Sequence, residues 1–340
     1  MQTSPASDQP DSVSPARTPG GDDLHAAFAA LRQSLNQCIL GQQDLVDRLL
    51  IALLADGHLL VEGAPGLAKT AAIKALAAHI EGDFHRVQFT PDLLPADITG
   101  TDIWRPQDGS FEFQSGPIFH NLVLADEINR APAKVQSALL EAMAERQVTV
   151  GSKSYPLSEV FLVMATQNPI EQEGTYPLPE AQLDRFVMFS RVGYPRAEVE
   201  REILALHRRG GPEALSPERD VLSLKNVRDA RQAIMQLHLS EPMEQYLIGL
   251  VMASRFPADL GNELSRWIAF GASPRGTLAL ERCARAHAWL HGCDYVSPAD
   301  VHAVAHDVLR HRILLSFEAE ADGVTVDEVI DQLIKRVPLP

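Results

Sequence analysis

The sequence of 340 residues has few cysteines and a shortage of positive charge. Its three cysteines, Cys38, Cys283 and Cys293, show no CxxC spacing, so we expect neither a disulfide framework nor a zinc site. Lysine and arginine number 30 against 45 aspartates and glutamates, which gives a formal net charge of −15. Because affinity for a nucleic-acid backbone depends on clustered basic residues, this balance argues against a general nucleic-acid binder.

Long hydrophobic runs are also absent from the sequence. No apolar segment reaches the roughly 20 residues that a transmembrane helix needs, and residues 1–22 lack the apolar centre of a signal peptide. We therefore expect no membrane span and a cytoplasmic protein. Residues 1–22 are rich in serine, proline, aspartate and glycine, which predicts a disordered tail.

Beyond the tail, short apolar runs alternate with segments of helical periodicity. This alternation predicts an α/β fold with a largely parallel sheet covered by helices on both faces. The five predicted strands cover residues 58–62, 84–89, 121–125, 160–165 and 187–191. We expect an irregular insertion at 99–117 and a hairpin at 147–157. After Pro195 helical periodicity dominates, so we predict an α/β core over 23–195 and a smaller all-helical domain over 196–340.

The loop after the first predicted strand has the composition of a cradle for nucleotide phosphates. It consists of Gly63, Ala64, Pro65, Gly66, Leu67, Ala68, Lys69 and Thr70. Glycines let backbone N–H groups turn towards phosphates, and the following helix adds a partial positive charge. Lys69 is expected to reach the β- and γ-phosphates, and the Thr70 hydroxyl to ligate Mg²⁺. Ala68 stands where the general pattern has glycine, and a left-handed alanine costs ~1–2 kcal/mol.

Two carboxylates end the third predicted strand, at Asp126 and Glu127. Beside a phosphate loop, Asp126 can hold Mg²⁺ through water and Glu127 can act as the general base on the attacking water. The alternative is a strand that simply ends in acidic residues.

Three further residues extend this set. Asn168, in Thr166-Gln167-Asn168-Pro169, can orient a water near a γ-phosphate, or it can serve only as a turn residue before proline. Arg185 precedes the last predicted strand, and Arg275 opens a helix of the second domain. Guanidinium groups stabilise charge on a transferring phosphate, although both arginines can equally be surface ion-pair residues.

Taken together, these residues resemble the MoxR family of AAA+ ATPases over about 24–338. The motifs that carry the resemblance are Gly66-Leu67-Ala68-Lys69-Thr70, Val87 to Asp97, Asp126 to Pro132, Leu140-Glu141-Ala142-Met143, Ala165 to Pro169 and Glu180 to Phe186. The resemblance implies a P-loop AAA+ core with a helical lid, ATP and Mg²⁺ as cofactors, and alanine as the family residue at position 68. It further implies that Asn168 is sensor 1, Arg185 an arginine finger acting in trans, and Arg275 sensor 2.

The same resemblance implies a function and partners. We expect a chaperone-like ATPase that forms a homo-oligomeric ring, with six subunits, and that activates another protein by metal insertion or complex assembly. A separate protein with a von Willebrand factor A domain is the expected partner, and the alternative is a DNA-linked motor or loader. Gln88 resembles the residue that restrains the catalytic glutamate, and Trp104 either contacts a substrate at the pore or packs the insertion onto the sheet.

Overall fold

The computed structural model describes residues 21–107, 109–170, 174–208 and 221–340. Most of the predicted tail, residues 1–20, therefore lies outside the described residues. The first helix begins at Gly21, so the last two residues of the predicted tail are helical. None of the helices in these ranges has the length and apolar character that a membrane span requires.

The central element is a five-stranded parallel sheet, as predicted. Its strands are β1 (Leu59–Gly63), β2 (Phe84–Gln88), β5 (Leu122–Asp126), β8 (Leu162–Gln167) and β9 (Met188–Val192). They lie in the order β2-β5-β8-β1-β9, with β1 between β8 and β9. Because all five strands run the same way, the residues that follow β1, β5 and β8 meet at one edge of the sheet.

Helices cover both faces of this sheet. The helices that precede β9 in the chain are α1 (Gly21–Cys38), α2 (Gln43–Leu54), α3 (Lys69–Ala77), α4 (Pro95–Thr99), α5 (Ala133–Glu145) and α6 (Glu180–Leu183). Those that follow are α7 (Ala197–Arg208), α8 (Leu224–Met235), α9 (Glu241–Arg255), α10 (Asn262–Trp267), α11 (Pro274–Leu290), α12 (Pro298–Leu309), α13 (Phe317–Ala321) and α14 (Val326–Arg336). One apolar cluster joins α2 and α3 to the C-terminal helices, and a second lies around α5.

The predicted domain boundary at 195/196 falls between β9 and α7. Buried side chains continue across it, since Met188 of β9 belongs to the same cluster as Leu280 of α11 and Val304 of α12. The C-terminal part is helical, as predicted, and it also contains a two-stranded sheet of β10 (Ile268–Phe270) and β11 (Leu314–Leu315). Strands of two or three residues are too short to show a period-2 pattern.

The prediction of an irregular insertion at 99–117 is wrong. This segment forms an antiparallel hairpin of β3 (Gly100–Arg105) and β4 (Ser110–Ser115). Phe113 of β4 stacks on Tyr155, with ring centroids 4.0 Å apart. Tyr155 lies in a second hairpin, β6 (Gln147–Val150) and β7 (Lys153–Pro156), which confirms the hairpin predicted at 147–157. The insertion is therefore ordered by contact with its neighbouring hairpin.

Candidate nucleotide site

The phosphate loop connects β1 to α3, as the pattern predicts. Gly66 has a φ of +84°, and a Cβ at Gly63 would lie 2.8 Å from the carbonyl oxygen of Val192, so both positions require glycine. Ala68 has φ 58° and ψ 13°, which is left-handed backbone. The departure from glycine at position 68 therefore places a Cβ where the conformation disfavours one.

Lys69 opens α3 and turns back over the loop. Its ammonium group donates to the carbonyl oxygens of Gly63 and Ala64. Burial lowers the pKa of Lys69, and the nearby carboxylates of Asp126 and Glu127 act in the opposite direction. The loop thus holds a partly desolvated cation that lacks an anionic hydrogen-bond partner among the described residues.

A cleft of ≈ 410 Å³ lies over this loop. Its lining comprises Pro65, Gly66, Leu67, Ala68, Lys69, Thr70, Ala71, Arg86, Asp126, Glu127, Thr166 and Asn168. Nine of these twelve residues are predicted site residues, and they come from three separate segments of the chain that the parallel sheet brings to one edge.

Asp126 is held in place by Thr166, for which no functional role was predicted. The hydroxyl of Thr166 donates to Oδ1 of Asp126 at 2.6 Å and accepts from the backbone N–H of Glu127 at 2.9 Å. Thr166 is 1% exposed. The buried hydroxyl of Thr166 on β8 therefore fixes the position of the Asp126 side chain and of the Glu127 backbone.

Glu127 follows β5 in left-handed backbone with a φ of 57°. Its Oε2 accepts from Nε2 of Gln88 at 3.0 Å and from Nη1 of Arg130 at 3.1 Å. The predicted contact between Gln88 and Glu127 is thus present. Because Gln88 and Arg130 both donate to the same oxygen, the carboxylate of Glu127 is held in place by neighbouring side chains.

Asn168 is one of the residues that line the cleft. Its Oδ1 accepts from the backbone N–H of Ile170 at 3.1 Å, whereas Nδ2 is buried with no partner among the described residues. Buried donors without a partner are rare in native structures. This amide is therefore suited to a polar ligand, such as a phosphate oxygen or a water.

Arg185 and Arg275 lie away from this cleft. Leu59 of β1 lies beside Met188 of β9, and the parallel pairing continues to the C-terminal ends of both strands. Arg185 precedes β9 whereas Lys69 follows β1, so the two lie at opposite edges of the sheet. The strands β1 and β9 are five residues long and span at least about 13 Å, so the backbones of Arg185 and Lys69 are at least that far apart.

The two arginines share a second cavity of ≈ 280 Å³, here called the arginine pocket. Its five arginines are Arg146, Arg185, Arg275, Arg282 and Arg312. Asp184 receives the hydroxyl of Ser273 at 2.9 Å and Nε of Arg312 at 2.8 Å, and Arg275 Nη1 lies 4.0 Å from it. Arg185 makes no ion pair among the described residues. The arginine pocket therefore carries excess positive charge, and the guanidinium of Arg185 has no ion-pair partner among the described residues. Both features favour the binding of an anion.

Arg146 and Trp104 both have partners within the protein. Arg146 pairs with Asp56 at 2.6 Å. Trp104 is 50% exposed and contacts Phe111 across its own hairpin, so it does not pack the insertion onto the sheet. In the described part of the chain, no group of three His, Cys, Asp or Glu side chains is arranged to hold a metal.

The cleft fits a nucleotide with Mg²⁺. Its lining combines a phosphate loop, a lysine, the hydroxyl of Thr70, the carboxylate of Asp126 and the amide of Asn168, whose nitrogen has no partner among the described residues. Phosphate oxygens match the N–H donors, and Mg²⁺ prefers oxygen ligands.

Comparisons with known proteins agree with this geometry. The family model described as "ATPase family associated with various cellular activities (AAA)" matches residues 58–188, and the "AAA lid domain" model matches 264–333. The chain is 46% identical to "Chaperone MoxR1" of Mycobacterium tuberculosis, over 97% of this chain and 88% of that protein. It is 36% identical to "Protein MoxR" of Paracoccus denitrificans, over 94% and 98%.

A solved structure is similar throughout. The crystal structure of a candidate ATPase from Cytophaga hutchinsonii has a TM-score of 0.87 and 44% identity, and the match covers 94% of this chain and 97% of that one. The level and extent of these similarities, together with the nucleotide cleft, support ATP hydrolysis. The chain belongs to the MoxR family of AAA+ ATPases.

Proposed function

We propose that the chain hydrolyses Mg²⁺·ATP in the cleft at the C-terminal edge of its sheet. In this assignment, Lys69 and the loop Gly63–Thr70 bind the phosphates, and Thr70 and Asp126 hold Mg²⁺. Glu127 is the general base, and Asn168 orients the attacking water or the γ-phosphate. The unpartnered buried amide of Asn168 and the contact of Lys69 with loop carbonyls support these roles.

The arginine pocket completes the site of a neighbouring subunit in this proposal. The observation that carries it is the separation of Arg185 from the molecule's own cleft by the length of a strand. A finger that cannot reach its own nucleotide must serve another copy, and repetition of that contact generates a closed ring. We assign Arg185 and Arg275 to this role and propose a ring of six subunits.

The work done by the ring is the remodelling or activation of another protein. The name of the Mycobacterium tuberculosis relative, a chaperone, supports this proposal. The exposed aromatic side chains of the β3–β4 hairpin, Trp104 and Phe111, offer apolar contacts for such a client. The proposed client is assembled or loaded with metal in the cytoplasm, with a separate von Willebrand factor A domain protein as partner.

A mixing experiment tests the shared site. Glu127→Gln and Arg185→Ala should each hydrolyse ATP poorly alone. When equal amounts are mixed, subunits carrying an intact Glu127 meet neighbours carrying an intact Arg185, and about a quarter of the interfaces regain both groups. Activity should therefore return on mixing. A mixture as inactive as its components, in rings shown to exchange subunits, would exclude the assignment in trans.

A further inference from the structure

Arg86 contacts Asp126, the proposed metal ligand, and no functional role was predicted for it from the sequence. It lies on β2, two residues before Gln88, so both side chains project from the same face of the strand. The sheet register places Gln88 beside Asp126. The guanidinium of Arg86 donates to Oδ2 of Asp126 from Nε at 3.0 Å and from Nη2 at 2.7 Å.

This contact leaves neither oxygen of Asp126 without a donor. Oδ1 accepts the hydroxyl of Thr166, and Oδ2 accepts both bonds from Arg86. Asp126 is 7% exposed, so its charge is balanced by the guanidinium more than by solvent. A divalent cation that used Oδ2 would meet Arg86 at the same oxygen, and two positive charges at such a distance repel each other.

The same guanidinium also reaches the general base through Gln88. Nη2 of Arg86 donates to Oε1 of Gln88 at 3.0 Å, and Nε2 of Gln88 donates to Oε2 of Glu127 at 3.0 Å. An amide has one acceptor and one donor end. Because Arg86 occupies the oxygen end, the nitrogen end is left to face Glu127. One side chain therefore contacts Asp126 and orients the amide that holds Glu127.

We propose that Arg86 is a positioning residue that occupies Asp126 until a divalent cation replaces it. While Arg86 stays on Asp126, it keeps Gln88 bound to Glu127. When the carboxylate is taken by the cation, Arg86 loses its anchor, and the orientation of Gln88 is lost with it. Release of Glu127 is thus linked to occupation of the metal site. This inference rests on the proposed metal role of Asp126.

Binding of Mn²⁺ to the full-length, nucleotide-free protein tests this competition. The concentration of free Mn²⁺ is measured by electron paramagnetic resonance during a titration, which gives the dissociation constant. Arg86→Gln and Arg86→Ala should bind Mn²⁺ about tenfold more tightly than the parent protein, since a competing cation has gone. Arg86→Lys keeps a positive charge and should stay near the parent value. General damage to the site would weaken the binding of Mn²⁺, so a gain is diagnostic.

Two further variants make each outcome decisive. Arg228→Ala removes a similarly exposed arginine that pairs with Glu159 on the surface, and it should leave the affinity for Mn²⁺ unchanged. Asp126→Asn should abolish the binding with and without Arg86. Retention of Mn²⁺ by Asp126→Asn would overturn the metal site itself. If Asp126→Asn loses Mn²⁺ but both neutral Arg86 variants bind it no more tightly than the parent, the metal site stands and the inference about Arg86 is wrong.

Discussion

Ala68 and Glu127 line the same cleft in the same unusual backbone conformation, with φ values of 58° and 57°. Neither is glycine, and left-handed backbone costs a residue with a Cβ about 1 kcal/mol or more. Ala68 is the residue before α3, and Glu127 is the residue after β5. Backbone strain is therefore present on two walls of the cleft that come from separate segments of the chain.

Replacement of Ala68 by glycine should relieve one part of this strain. We expect Ala68→Gly to raise the free energy of unfolding by up to about 1 kcal/mol, because glycine adopts left-handed backbone without steric cost. Ala75→Gly, inside α3, is the matched control and should lower the free energy of unfolding by roughly 0.5–1 kcal/mol. Urea unfolding of both variants measures the difference. Equal destabilisation by the two substitutions would contradict the role of the backbone conformation at position 68.

Substitution of Glu127 should separate binding from hydrolysis. Glu127→Gln keeps an oxygen for Gln88 and Arg130 but removes the base, so ATP binding should persist while turnover falls by about 10²–10⁴-fold. The measurements are binding of a fluorescent ATP analogue and release of phosphate. Hydrolysis at the parent rate would rule out Glu127 as the base.

Substitution of Lys69 should instead weaken binding. Lys69→Ala removes the cation of the phosphate loop, and we expect the dissociation constant for ATP to rise by at least about tenfold. Lys74→Ala is the control, since it removes an exposed lysine from the same helix. An equal loss of affinity in both variants would attribute the effect to net charge rather than to the loop.

Loss of the Thr166 hydroxyl should affect both carboxylate residues of the cleft. Thr166→Val leaves the backbone N–H of Glu127 and Oδ1 of Asp126 without this partner, at a cost of about 1–3 kcal/mol in the free energy of unfolding. Thr166→Ser keeps the hydroxyl and should lose little stability. The Mg²⁺ concentration that half-saturates hydrolysis should rise in the valine variant. If the serine and valine variants behave alike, the hydroxyl has no such role.

Acid should destabilise the protein through His58. This side chain donates from Nε2 to the carbonyl oxygen of Met143 at 3.3 Å and accepts at Nδ1 from the N–H of Val163 at 3.1 Å, which requires the neutral ring. Burial, helped by Arg146, lowers the pKa of His58 from 6.5 to about 4. Below pH 6.5 the unfolded chain therefore binds a proton that the folded protein does not, so stability is retained above pH 6.5 and lost as the pH falls towards 4.

The comparison that isolates His58 uses the variant His58→Gln. Between pH 6.5 and 4, the parent protein should lose about 3 kcal/mol more free energy of unfolding than the variant does. His311 is also buried with a lowered pKa, but it is present in both proteins and its effect cancels. Urea unfolding at several pH values gives both curves, and parallel curves would contradict the prediction.

Most residues of the cleft were predictable because each belongs to a short motif that can be recognised within its own segment of the sequence. Lys69 and Asn168 follow recognisable apolar strands and Asp126 ends one, and parallel strands bring such positions together at one edge of the sheet. Arg86 and Thr166 lie within strands instead. Their roles depend on which residue of the neighbouring strand lies beside them, and that register is not visible in either segment alone.

The hairpin at 100–115 was not predictable for a different reason. Its residues are largely exposed, so burial does not impose a period-2 pattern on it. What closes it is close contact between backbone segments: a Cβ at Gly100 would lie 2.3 Å from the carbonyl oxygen of Gln114. The position of Arg275 beside Arg185 likewise depends on how the C-terminal helices pack against β9, which no local motif encodes.

The anchorage of Arg312 has a mechanical consequence. Its side chain is 2% exposed and donates to the carboxylate of Asp184 and to the carbonyl oxygens of Phe186 and Val187. The segment just after α12 is thereby attached to the stretch of chain that carries Arg185. A shift of the C-terminal helices would therefore also displace Arg185, so a movement of the helical part of the chain would change the shape of the arginine pocket.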